Sequence, residues 1–223
     1  YYGSGCNFHG PLKATDEPLP EIENFLKYKS FNLGELNSEI SDKAIKFCDK
    51  KKYKEAWELI CPPLHKQTDI DKLPNMEASN TALAWKFNER GLLLHGQTGT
   101  GKSRTAWLIL KAAHFDGKKI LVLNSASAIR YAAIFSTSTT DAEKWIDRHA
   151  NVDVLFMDDA FKVKLTESYE AALFAVIDSR MENLRPIIAT TNDTGETLAG
   201  RMSQDRGAAM VRRLRECCDS IGF

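Results

Sequence analysis

Eight consecutive residues, Gly96-Gln97-Thr98-Gly99-Thr100-Gly101-Lys102-Ser103, narrow the possible folds of this chain more than any other feature. They satisfy G-x-x-x-x-G-K-[ST] at every position. They also follow a short apolar run, Leu92–His95, and open a helix-like segment from Gly101 to Phe115. Gly96, Gly99 and Gly101 let the backbone turn tightly, so that successive N–H groups point into one concave nest. The helix beyond adds its N-terminal partial positive charge. Such a nest suits a chain of phosphates. Lys102 then places an ammonium on the β- and γ-phosphate oxygens, and the Ser103 hydroxyl reaches magnesium. ATP and Mg2+ are the expected cofactors. At average residue frequencies the pattern arises by chance in about one such chain in a hundred.

From about residue 80 the chain alternates between apolar strands and helices. Strands are expected at Leu92–His95, Lys119–Leu123, Val152–Met157, Pro186–Thr190 and near Ser220–Phe223. The expected helices are Gly101–Phe115, Ser127–Phe135, Asp141–Ala150, Ser168–Asn183 and roughly Gly207–Glu216. That alternation requires crossover connections, hence an α/β fold with a parallel sheet and helices on both faces. Residues 1 to about 75 differ in texture, being rich in Lys, Glu and Pro. They are read as a small, mostly helical N-terminal region, with residues 76–223 as the α/β domain. Within that region Ser41–Ile60 reads as a helix, its apolar positions including Ala56, Leu59 and Ile60, stopped by Pro62-Pro63. The lysines on its other face read as solvated surface, with a phosphate-binding patch as the alternative.

Ligands of such a sheet bind beyond the carboxyl ends of its strands. Two further strand ends carry chemistry there. Val154-Leu155-Phe156-Met157 closes on Asp158-Asp159: Asp158 is the expected metal-side carboxylate, and Asp159 the group that orients the attacking water or accepts its proton. Two adjacent carboxylates in a dry site also call for a cation. Ile187-Ile188-Ala189-Thr190-Thr191 ends on Asn192, placed to hydrogen-bond that water or the γ-phosphate. Arg201, Arg206, Arg212, Arg213 and Arg215 follow. The spacing puts Arg212 and Arg215 on one helix face and Arg213 elsewhere. Surface ion pairing, with Glu216 for example, and an arginine finger for a neighbouring subunit both remain open.

Net charge is zero, so no global field draws the protein to nucleic acid or membrane. The apolar runs are too short to span a bilayer, and a cytoplasmic protein with a trimmed N-terminus and without a secretory leader is expected. Five cysteines without regular spacing argue against a disulfide framework. Cys6 and His9, with Cys48 and Cys61, match no common zinc pattern, and reduced thiols are the expectation. For single-stranded DNA, Arg130, Tyr131 and Phe135 in the segment Ala126–Ser136 are candidates against ordinary helix packing. Trp85 and Phe87 stand in the same position toward the adenine base.

These residues resemble the AAA+ ATPases, and among them the DnaC-type helicase loaders and IstB-type transposition helpers. The resemblance covers roughly residues 80–223. It is carried by Gly91-Leu92-Leu93-Leu94-His95-Gly96, Asp153–Asp159, Arg185–Asn192 and Arg212-Arg213-Leu214-Arg215-Glu216. It implies a three-layer P-loop core without a C-terminal helical lid, Asn192 as sensor 1, and Arg213 as the arginine finger. It also implies a homo-oligomer in the ATP state, with partners that are a replicative helicase and single-stranded DNA, or a transposase and duplex DNA. Asp159 stands where most AAA+ proteins have Glu; the shorter acid implies slow turnover or a nucleotide-binding scaffold. The N-terminal region carries no such resemblance; in helicase loaders that region contacts the helicase.

Overall fold

Burial alternates along the strands and sorts their side chains into two layers. Leu93, Leu155, Met157, Ile187 and Ala189 enter one core; Leu92, Leu94, Val154, Phe156 and Ile188 enter another. Each strand is therefore apolar on both faces, as a fully covered parallel sheet requires. The computed structural model of the chain describes residues 52–88, 90–135, 138–159, 161–162 and 166–223. Residues 52–60 are helical (α1), followed by α2 (Pro63–Lys66), a 3-10 turn at Ile70–Lys72 and α3 (Met76–Leu83). Then come β1 (Gly91–His95), α4 (Lys102–Phe115), β2 (Ile120–Asn124), α5 (Ser125–Phe135), α6 (Thr139–Asn151) and β3 (Val154–Asp158). The chain continues with α7 (Glu167–Glu182), β4 (Ile187–Thr191), α8 (Gly195–Gly200), α9 (Gln204–Cys217) and β5 (Cys218–Gly222).

All strand pairs are parallel, in the order β2-β3-β4-β1-β5. Helices α1, α3 and α4 cover one face through Trp57, Ala82, Trp107 and Leu110. The other face is covered by α5 to α9 through Phe135, Trp145, Leu173, Leu198 and Met210. The expected three-layer α/β sandwich is thus present, and each strand and helix expected from residue 91 onward is found within a few residues of its place. Short α2, α3 and α8 were not anticipated. Among the described residues, no helix is long and apolar enough to cross a membrane.

The helix expected at Ser41–Ile60 is seen from residue 52 onward; its earlier part, with most of its lysines, lies outside the described residues. Its apolar face is only partly the one expected: Ile60 packs against the core, but Leu59 does not. Leu59 is 89% exposed, whereas Trp57 is 4% exposed. Trp57 meets Trp107 edge-on at 5.8 Å and His114 at 5.5 Å, so the larger aromatic surface takes the core position. Cys61 is buried in the same core.

On the other side of the sheet, Arg180 of α7 is fully buried. Its guanidinium donates to the carbonyl oxygens of His149, Ala150, Val152, Asp153 and Pro186 at 2.7–3.2 Å. One planar fork thereby ties the end of α6 to the entries of β3 and β4. Burial pushes the Arg180 pKa down to about 10.

Candidate active site

A cleft of about 210 Å³ opens where β1, β3 and β4 end, and Lys102, Ser103, Asp159, Asn192, His65 and Pro74 are among its walls. The loop from β1 to α4 reaches it only because of its glycines. Gly96 has φ 138° and Gly101 has φ 100°, values strained for residues with a side chain. A Cβ on Gly96 would also stand 2.2 Å from the Phe223 carbonyl oxygen. On Gly101 it would come within 3.1 Å of the Pro74 ring.

Lys102 is 6% exposed. Its Nζ donates to the carbonyl oxygens of Gly96 at 2.8 Å and Gln97 at 2.6 Å, and to Thr100 Oγ1 at 3.4 Å. Burial lowers its pKa from the ordinary lysine value, while Asp159 and Asp158 act in the opposite direction. The ammonium is therefore already inside the loop, held by neutral acceptors that a phosphate oxygen can replace.

The acids are organised by hydroxyl groups. Ser103 Oγ donates to Asp158 Oδ1 at 2.7 Å, and Thr190 Oγ1 donates to the same oxygen at 2.8 Å. Thr190 Oγ1 also accepts the Asp159 backbone N–H at 3.0 Å. Asp159 has φ 47°, a left-handed angle that costs a residue with a side chain about 1 kcal/mol or more. Its carbonyl accepts Ser125 Oγ and the Lys162 N–H, each at 3.0 Å. These bonds hold the angle and turn the Asp159 side chain into the cleft. Burial raises the pKa of Asp159 above the usual carboxylate value, and the Asp158 charge adds to the rise.

A hydroxyl and a carboxylate oxygen 2.7 Å apart form a hard oxygen donor pair and fit magnesium, which keeps the rest of its shell for phosphate and water. Among the described residues, no group of three or more His, Cys, Asp or Glu could hold a metal by itself. Cys61, Cys217 and Cys218 are buried free thiols. Cys6, His9 and Cys48 lie outside the described residues.

The structure brings Gly96–Ser103, Asp158, Asp159 and Asn192 to one place. It does not bring Arg213 there. That guanidinium pairs with Asp178 of α7 and lies 4.4 Å from the Phe174 ring centroid. Arg201 pairs with Asp193 at 2.6 Å, Arg212 with Glu216 at 3.6 Å, and Arg206 donates to the Glu167 carbonyl at 3.3 Å. Arg215 is exposed and runs beside Gly195.

Phe135 is buried, and Tyr131 stacks on it at 5.9 Å, so both aromatics serve core packing; Arg130 is exposed. Trp85 donates to the Arg90 carbonyl at 2.9 Å, and Phe87 lies under Lys118; neither lines the cleft. Sequence reasoning passed over Thr190, Ser125 and His65. Thr190 alone left a signal, as a hydroxyl at the end of an apolar strand.

A family described as IstB-like ATP binding protein matches residues 65–221. An uncharacterized protein, YdaV of Escherichia coli (strain K12), is 25% identical over 114 residues, 50% of this chain and 46% of that protein. The chain thus covers about half the length of this curated relative. Among solved structures, DnaI matches with a TM-score of 0.58 at 20% identity, covering 70% of this chain and 88% of that one. The DnaC helicase loader matches with a TM-score of 0.57 at 19% identity, covering 73% of this chain and 99% of that one. At these identities the two structures speak for the fold.

Proposed function

This chain belongs to the IstB-like ATP-binding protein family, and from that premise we propose that it is a slow ATPase that acts as a helicase loader in phage or bacterial DNA replication. One observation carries the catalytic part. The hydroxyls of Ser103 and Thr190 converge on Asp158 Oδ1, and Thr190 in turn holds Asp159 beside Lys102.

In this reading the loop 96–103 wraps the phosphates, and Lys102 exchanges the Gly96 and Gln97 carbonyls for phosphate oxygens. Ser103 and Asp158 hold magnesium, which supplies positive charge against the phosphate oxygens. Asp159 orients a water molecule and takes its proton as the water oxygen bonds to the γ-phosphorus and the bond to the ADP oxygen breaks. A carboxylate with a raised pKa is the better base for that step. Asn192 hydrogen-bonds the γ-phosphate, so its neighbourhood differs between the ATP and ADP states.

The loader role is supported by the fold shared with the DnaC helicase loader. ATP favours an assembly of subunits that grips single-stranded DNA and a hexameric helicase, and residues 1 to about 75 supply the helicase contact. Arg213 is the group offered to a neighbouring subunit's γ-phosphate, and to serve there it must leave Asp178. The resemblance to IstB-type proteins, shared by the matching family, supports a second reading, a transposition helper acting on duplex DNA.

ATP turnover of the wild type and of Asp159→Asn, each alone, with single-stranded DNA and with duplex DNA, separates these readings. The loader predicts stimulation by single strands and a loss of at least about a hundredfold in Asp159→Asn. Stimulation by duplex alone favours the transposition helper. Equal turnover by the two proteins contradicts catalysis by Asp159, and equal turnover at background level leaves a nucleotide-binding scaffold.

A further inference from the structure

The wall of the cleft opposite the strand ends is built by a segment that precedes the sheet. Lys66 Nζ reaches back from α2 to the Glu58 carbonyl at 2.7 Å and to its carboxylate at 2.6 Å, folding α2 onto α1. Tyr53 and Trp57 of α1 pack on His114 and Trp107 of α4. The fold of this segment therefore sets where His65 stands. Its imidazole stacks on Trp107, with centroids 5.6 Å apart and planes 19° apart. Trp107 in turn meets Phe156 of β3 edge-on at 5.4 Å. Because Trp107 lies one turn beyond Ser103 on α4, and Phe156 two residues before Asp158, His65 covers the Ser103–Asp158 side of the cleft.

His65 lines that cleft, and its Nδ1 is buried without a hydrogen-bond partner. Nε2 is then the nitrogen left to face the opening. Burial lowers the pKa of the imidazole from its ordinary value; Asp158 opposes that shift and Arg104 reinforces it. The ring is thus a neutral hydrogen-bonding group at neutral pH, fixed by stacking rather than by polar partners.

We infer that His65 is a nucleotide-contact residue, hydrogen-bonding through Nε2 to the γ-phosphate end of bound ATP and its water shell. The α1–α2 segment then reads the nucleotide directly: loss of the γ-phosphate removes a contact of α2, and the His65–Trp107–Trp57 ring contacts pass the change to α1. This inference rests on the ATP site proposed above. It adds that the segment before the sheet takes part in that site.

The test is equilibrium binding of fluorescent ATP and ADP analogues, with magnesium, to the full chain in four forms: wild type, His65→Ala, His65→Gln and Lys102→Ala. His65→Ala is expected to weaken the ATP analogue about tenfold and the ADP analogue less than about twofold. His65→Gln, whose amide nitrogen lies near the Nε2 position, is expected to recover part of the loss. Tryptophan emission of the wild type should differ between the two bound states, and less so in His65→Ala. Unchanged ATP affinity in His65→Ala, or equal loss for both nucleotides, overturns the inference and leaves His65 as packing for Trp107. If the wild type binds neither nucleotide, or Lys102→Ala binds both as well as the wild type, the proposed ATP site fails instead.

Discussion

Asp159 carries both the strained backbone and the raised pKa of the site, and the two have one origin. Thr190 and Ser125 hold its peptide in a left-handed conformation, which aims the carboxylate into a partly dry cleft beside Asp158. A carboxyl whose pKa is higher in the folded than in the unfolded chain destabilises the fold wherever it is ionised in both states. That cost is full above the folded pKa and vanishes below the unfolded one. Asp159→Asn should therefore raise the thermal midpoint at pH 7 in magnesium-free buffer. The gain should shrink as pH falls through the acidic range, and a pH-independent difference would contradict this account. At this scale sequence spacing was enough to pick out Lys102, Ser103, Asp158 and Asp159, which the fold gathers at one cleft. It was silent on Ser125 and His65, because a serine opening a helix and a histidine after two prolines are common wherever chains turn. Only the third dimension brings Ser125 to the Asp159 carbonyl and His65 to the cleft.

Among the elements, the strands were legible because residues apolar on both faces leave no alternative to a covered parallel sheet. Each runs within a few residues of its expected place. Short α3 and α8 escaped, since neither is long enough for apolar periodicity to emerge. The more instructive difference is α1, where counting apolar positions favoured Leu59 and the fold buries Trp57. Periodicity says that a helix has an apolar face; the partner decides which residues form it. Here the partner is α4, whose Trp107 and His114 offer aromatic surface. Trp57→Ala should cost about 3–5 kcal/mol in denaturant unfolding. Leu59→Ala, at 89% exposure, should change stability by about 0.5 kcal/mol or less. The reverse order would mean that α1 does not sit on α4 in solution.

For the whole molecule, the strand order β2-β3-β4-β1-β5 brings the ends of β1, β3 and β4 to one edge. Three motifs separated by tens of residues become one cleft by that topology alone. The same fold turns Arg213 toward α7, where Asp178 and Phe174 engage it. Sequence spacing showed that Arg213 faces away from Arg212 and Arg215, but not what it faces, because α7 meets α9 only in the fold. The proposed finger role for Arg213 thus requires an assembly, whereas the proposed phosphate loop and its acids come together within the single chain. The central claim concerns the latter, and ATP hydrolysis by purified wild type and Lys102→Ala, with magnesium present, tests it most directly. The account predicts measurable turnover in the wild type and none above background in Lys102→Ala, with the variant still folded by circular dichroism. Equal phosphate release by the two proteins would contradict it, since the ammonium held by Gly96 and Gln97 would then have no part in the chemistry.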